Sequence, residues 1–187
     1  MTTLLEFLTL IAKMFWLFLP AGVANMAPVL FKDKFKSLAI PIDGGRTFRG
    51  RPLFGNHKTW RGMLVAVLFG GVIFILQYVL TYYFPSMRGW APFDITTAPI
   101  WFGFVFGAGA IIGDLIKSFF KRRVSVKPGQ SWFPFDQLDF AIGAALVAML
   151  FFDLTWVMWV IIILVGPVFH ILVNHIGYWL KLKDSPW

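Results

Sequence analysis

A chain of 187 residues that is 58% hydrophobic and only 14% charged, with a mean hydropathy of +0.73, lacks the polar surface a soluble globule of this size needs, so its composition is that of an integral membrane protein. The absence of cysteine excludes disulfides, thiolate metal sites and cysteine nucleophiles together. The net charge of +8 would suit nucleic acid in a soluble domain, but these basic residues lie in loops beside apolar runs, where membrane lipids and phosphates are the expected partners and nucleic acid is not.

A membrane-spanning helix needs about 20 mostly apolar residues, and stretches of that kind run over 4–30, 63–84, 99–120, 135–152 and 155–178. The expected fold is an all-α integral membrane protein with five transmembrane helices, forming a single transmembrane domain over 1–187. Lys13, Pro20 and Pro28 interrupt the first stretch, and only a short turn around Asp153 separates the last two. The N-terminus has no basic leader and its apolar run is too long for a cleaved signal, so it is expected to be retained.

Lys32, Lys34, Lys36, Arg46, Arg49, Arg51, Lys58 and Arg61 crowd the first loop, Lys117, Lys121, Arg122, Arg123 and Lys127 the third, and Lys181 and Lys183 the tail. Five spans put all of them on one side and leave the other with Arg88. The positive-inside rule then predicts an outside N-terminus, a cytosolic C-terminus and a multi-pass protein of the cell membrane. The loops 32–62 and 121–135 then face the cytosol and its metabolites.

Asp114, Lys117, Ser118, Lys121 and Arg122 recur at i, i+3, i+4, i+7 and i+8 and share one stripe of the third helix. Asp136 and Asp139, three apart and just after Pro134, share a face in the first turn of the fourth, where the helix dipole favours carboxylates. An unpaired carboxylate near hydrocarbon costs at least ~2.5 kcal/mol, so three of them in one region point to chemistry. With a hydroxyl they make a hard oxygen site suited to Mg²⁺, which commonly accompanies a phosphorylated substrate. The cations read equally well as topology determinants and snorkelling anchors.

The first loop adds Asp43-Gly44-Gly45-Arg46, Arg49-Gly50-Arg51 and Gly55-Asn56-His57-Lys58-Thr59-Trp60-Arg61-Gly62. Its glycines let backbone amides approach anionic oxygen, and Lys58, Thr59 and Arg61 are donors of the kind that grip phosphates. Asn25 and Pro28 lie in a small-residue, proline-flanked stretch that suits either a lipid groove or a packed kink. His170 and His175 are five apart and share no helical face, which favours interior hydrogen bonding over a metal site. Lys13 either snorkels or pairs with Glu6.

Gly113-Asp114-Leu115, Ser118, Lys121-Arg122, Lys127-Pro128-Gly129 and Asp136-Gln137-Leu138-Asp139 resemble, in order, the signature of the CTP-dependent phosphatidate cytidylyltransferases. Lys58-Thr59 followed by Gly62 resembles a further element of that family, and Asp43-Gly44-Gly45 resembles its upstream Asp-Ser-Gly. Pro128 stands in place of an aspartate and Gln137 in place of an arginine, departures that fit the small archaeal branch, the CDP-archaeol synthases. That branch is also similar in length, in Lys58-Thr59-Trp60-Arg61-Gly62, in Asp136 to Phe140 and in Pro20 to Pro28.

The resemblance implies attack by an isoprenoid ether lipid phosphate, digeranylgeranylglyceryl phosphate, on the α-phosphorus of CTP, releasing pyrophosphate and giving CDP-archaeol. Such a transfer needs positioning and charge neutralisation rather than a protein nucleophile. Asp114, Asp136 and Asp139, with Ser118, would hold Mg²⁺. Lys58, Lys121, Arg122 and Lys127 would grip the phosphates, with Thr59, Arg61 and Lys117 as further contacts, so that the loops 32–62 and 121–135 form part of the nucleotide and phosphate site, and Asn25 and Pro28 would border the lipid. Asp43 is open between the metal, the ribose or base, and solvent. A CTP-dependent lipid kinase and a small transporter are the alternatives, and the oligomeric state is open between monomer and homodimer.

Overall fold

A computed structural model describes residues 3–126 and 130–182; Lys127, Pro128, Gly129 and Lys183 lie outside them. Five helices dominate: α1 (Leu4–Leu30), α2 (Trp60–Tyr83), α3 (Phe102–Arg123), α4 (Phe135–Ala148) and α5 (Trp156–Trp179). Short 3-10 turns cover Lys36–Leu38, Pro85–Trp90 and Ile95–Thr97. The loop before α2 carries a feature the sequence pattern did not announce, a two-stranded antiparallel ladder of β1 (Thr47–Phe48) and β2 (Arg51–Pro52).

Local chemistry sets the helix starts. Thr3 and Glu6 form a reciprocal capping box at α1, with the Thr3 amide donating to Glu6 at 2.7 Å, so two otherwise orphaned N–H groups are satisfied. Thr59 caps α2 by accepting from the Gly62 amide at 3.2 Å. The capping moves the start of α2 to Trp60, three residues ahead of the apolar run read from the sequence. Pro20 and Pro28 are accommodated inside α1.

Four helices, α1, α2, α3 and α5, are long and apolar enough to cross a membrane. The fourth expected span is shorter than its sequence suggested. α4 has 14 residues and rises only about 21 Å at ~1.5 Å per residue, and residues 149–152 turn away although all four are apolar. Hydropathy does not mark that end, because Met149-Leu150-Phe151-Phe152 continues the apolar run.

The helices are held together by small-residue contacts. A Cβ on Gly70 of α2 would lie 2.9 Å from the Gly107 Cα and 3.1 Å from the Gly103 carbonyl of α3. Gly109 and Gly113 of α3 meet Gly143 and the Asp139 backbone of α4 as closely, leaving no room for a side chain. This is how membrane helices gain association without a hydrophobic driving force, through close backbone approach and hydrogen bonds across helices. The buried Gln77 amide of α2 donates to the Trp16 carbonyl of α1 at 2.6 Å. Phe74, Phe102 and Phe106 fill the centre of the core.

The antiparallel contact of α3 with α4 has a positional consequence. Gly113 abuts Asp139, so Asp114 and the first turn of α4 come to the same end of the bundle. The α2 N-terminus and the α1 C-terminus reach that end as well, bringing Lys58 and the β1–β2 loop to it.

Candidate active site

A chain of alternating charges runs across this end. Lys58 donates to Asp114 Oδ2. The other Asp114 oxygen is 3.2 Å from Lys117 Nζ, which lies 2.8 Å from Asp136 Oδ1 and 2.8 Å from Asp139 Oδ2. Lys121 Nζ then holds both oxygens of Asp136, at 3.0 and 2.8 Å. The stripe read from α3 and the carboxylate pair read from α4 are therefore one site, and three lysines balance three aspartates within it.

Lys117 is the hub of that network. Its spacing placed it on the α3 stripe, and the resemblance implied a further phosphate contact; its ammonium touches Asp114, Asp136 and Asp139 together. The three carboxylates expected to share a metal thus converge on a protein cation. Among the described residues no group of three or more His, Asp or Glu side chains is spaced to hold a metal ion. Ser118 is buried on the same helix.

Backbone donors fix the α4 carboxylates. The Trp132 amide donates to Asp136 Oδ2 at 2.6 Å and the Phe140 amide to Asp139 Oδ1 at 2.5 Å. These bonds set the carboxylate orientations before any ligand arrives, which is how a precise polar site is kept preorganised.

The first loop is built around Asp43, whose two oxygens serve its own backbone. Oδ1 accepts from the Gly45 amide at 3.0 Å, and Oδ2 from Phe54 and Gly55 at 3.1 and 3.2 Å. Burial acts to raise this carboxyl, but the amide donors of Phe54, Gly45 and Gly55 outweigh it and hold the group below its usual value. Gly44, Gly45 and Gly55 have φ of +56°, +76° and +103°, conformations that L side chains rarely adopt. Asp43 thus shapes the loop that carries Lys58, a role that the sequence reading did not include beside the metal, the ribose or base, and solvent.

Two arginines that were given no role in the expected site anchor the loop. Arg51 donates to the carbonyls of Arg122 and Arg123, at 3.1 and 2.5 Å, capping the end of α3. Arg123 returns to the carbonyls of Phe48, at 2.8 Å, and Pro52, with its guanidinium over the Phe119 and Phe48 rings.

The remaining expected residues divide. Arg122 is not drawn into the carboxylate network, and its Nε is buried without a partner among the described residues. Arg61 donates to the Lys34 carbonyl at 3.3 Å, and the Thr59 hydroxyl caps α2. Asn25 lines an apolar cavity between α1, α4 and α5, whereas Pro28 is positioned against Gly62 at the start of α2. Lys127 falls outside the described residues.

The chain matches the family model described as CarS-like, CDP-archaeol synthase, over residues 7–187. It is 35% identical over 178 residues to the CDP-archaeol synthase of Pyrococcus furiosus, covering 95% of this chain and 98% of that protein. It is 38% identical over 174 residues to the CDP-archaeol synthase of Thermococcus kodakarensis, with 92% and 94% covered. A solved structure described as an intramembrane enzyme for archaeal membrane lipids biosynthesis superposes with a TM-score of 0.67 at 27% identity, covering 92% of this chain and 94% of its own.

Proposed function

The chain belongs to the CarS-like, CDP-archaeol synthase family, and from that premise we propose how its own residues carry out the reaction. It is an enzyme that transfers the cytidylyl group of CTP to archaetidic acid. An oxygen of the lipid phosphate attacks the α-phosphorus of CTP, the bond to the β-phosphate oxygen breaks, and pyrophosphate leaves with CDP-lipid formed. The unsaturated digeranylgeranylglyceryl phosphate is the lipid we assign.

The observation that carries the mechanism is the contact of Lys117 with Asp114, Asp136 and Asp139. By donor type three carboxylates suit a divalent ion such as Mg²⁺, which would take the place among them that the Lys117 ammonium holds. Asp114, Asp136 and Asp139 are the residues that would hold it, with Ser118 as the hydroxyl donor. When bound, Mg²⁺ supplies charge neutralisation for the phosphates. Lys58, Lys117 and Lys121 are already at the site to meet an arriving triphosphate, and Arg122 brings a further guanidinium. Charge placed before the substrate arrives need not reorganise during transfer, which is how such sites lower the barrier.

The loop containing Lys58 and the clamp from Arg51 to Arg123 form the wall over this site, and we assign Lys127 a phosphate contact. Asn25 borders the lipid. The bundle is oriented with the basic loops cytosolic and the N-terminus outside, with α4 as a fifth, shortened crossing. The excess of lysine and arginine at the site end supports that orientation.

Purified protein in detergent, given CTP, Mg²⁺ and either digeranylgeranylglyceryl phosphate or the dephosphorylated alcohol, tests this reading. Pyrophosphate and CDP-lipid from the phosphate alone are expected. CDP and a newly phosphorylated lipid from the alcohol would make the chain a kinase and reverse the assigned leaving group.

A further inference from the structure

An apolar cavity of about 350 Å³ lies between α1, α4 and α5, within the ~300–1,000 Å³ range of pockets that hold small ligands. Asn25 of α1 and His170 of α5 are the polar side chains on its lining, and Phe140, which directly follows Asp139, lines it too. The lining runs along α1 from Ile11 to Leu30, so one end of the cavity lies at the end of the bundle that carries the carboxylates, where an apolar chain could leave a polar head.

Gly22 and Gly166 also line this cavity, and they differ from the glycines that join the helices. Gly70, Gly103, Gly107, Gly109, Gly113 and Gly143 are demanded by close packing, whereas a Cβ at Gly22 or Gly166 meets nothing within 4 Å. Neither has a positive φ. Glycine inside a helix is disfavoured against alanine, so two glycines required by neither packing nor backbone conformation keep space open.

We propose that this cavity takes one isoprenoid chain of the lipid phosphate and that Gly22 and Gly166 set its bore, selecting a methyl-branched chain over a straight one. The proposal rests on the reading of the chain as an enzyme acting on an isoprenoid ether lipid phosphate. An isoprenoid chain carries a methyl branch at every fourth carbon and needs a wider channel than a straight chain of equal length. Side chains at positions 22 and 166 would occupy the space those branches use.

The test measures retention of digeranylgeranylglyceryl phosphate and of a straight-chain dialkylglyceryl phosphate on the full-length purified protein by native mass spectrometry, without CTP, then turnover with CTP. Gly166→Leu and Gly22→Leu are expected to weaken retention of the branched lipid by about tenfold or more, the discrimination typical of a methylene in an apolar pocket, and to change the straight-chain lipid less. Gly166→Ala adds one methyl to open space, keeps the fold, and should show a smaller loss of the same kind. Unchanged retention of the branched lipid in the leucine variants, or equal loss of both lipids in the alanine variant, overturns the proposal. A wild type that retains the branched lipid but makes no CDP-lipid from it counts against the enzymatic reading alone and leaves the binding result standing.

Discussion

Lys117 Nζ lies 2.8 Å from Oδ2 of Asp139, a contact between two helices whose backbones touch at Gly113. The close approach of α3 and α4 brings three carboxylates together, and the ammonium lets them stay together. Removing one partner of a buried pair leaves an uncompensated charge and costs about 3–5 kcal/mol. Lys117→Met is therefore expected to lower the thermal midpoint in detergent as well as abolish turnover. A variant as stable as wild type would show that the carboxylates do not need this counter-ion.

Asp136→Asn and Asp139→Asn should behave differently from the lysine variant. Each keeps the shape of its side chain and loses a hard anionic donor, so turnover is expected to fall by more than about 100-fold while circular dichroism remains that of wild type. Titrating Mg²⁺ separates the cases further, because a lost ligand raises the Mg²⁺ requirement whereas a lost phosphate contact raises KM for CTP. Near-normal turnover in either variant would take that residue out of the site.

The α3–α4 seam gives a packing prediction. A methyl on Gly113 would collide with the Asp139 backbone, which cannot yield as a flexible side chain can. Gly113→Ala is expected to destabilise the protein by about 1–3 kcal/mol through overpacking and to displace Asp139 from Lys117, losing activity without touching a charged group. A Gly113→Ala protein with wild-type stability and turnover would mean that the seam adjusts freely.

Much of this site was legible because its parts repeat at helical spacing. Asp114 with Lys117 and Lys121, and Asp136 with Asp139, could each be placed on a face. The central role of Lys117 was not legible, since two of its partners come from another helix and the approach is set by glycines. The clamp between Arg51 and Arg123 joins positions 72 apart and ends on backbone carbonyls, which carry no residue identity for a motif to report. The short length of α4 was hidden by apolar residues in the turn that follows it. His170 was read as an interior hydrogen-bonding residue, and its place on the cavity emerges only when α1 and α5 are assembled.

The arginine clamp predicts a separation of kinetic effects. Arg51 reaches two carbonyls at once from a planar guanidinium, a geometry that the single ammonium of lysine does not reproduce. Arg51→Lys should loosen the loop that carries Lys58 and raise KM for CTP, with the KM for lipid phosphate and the helix content near wild type. A rise confined to the lipid would place the loop over the other substrate.

Asp43 supplies the pH prediction. Its folded-state value is depressed, so its stabilisation of the loop is fully present above the unfolded carboxyl value of about 3.9 and is lost as pH falls through the lower folded value. Limited proteolysis within residues 44–55 should therefore stay constant from neutral pH down to about 4 and increase only below it. Asp43→Asn removes the titrating group and leaves a weaker acceptor for the Gly45, Phe54 and Gly55 amides. Cleavage of that variant should be faster than wild type at neutral pH and indifferent to acid; a wild-type loop that opens between pH 5 and 7 would assign the transition to another group.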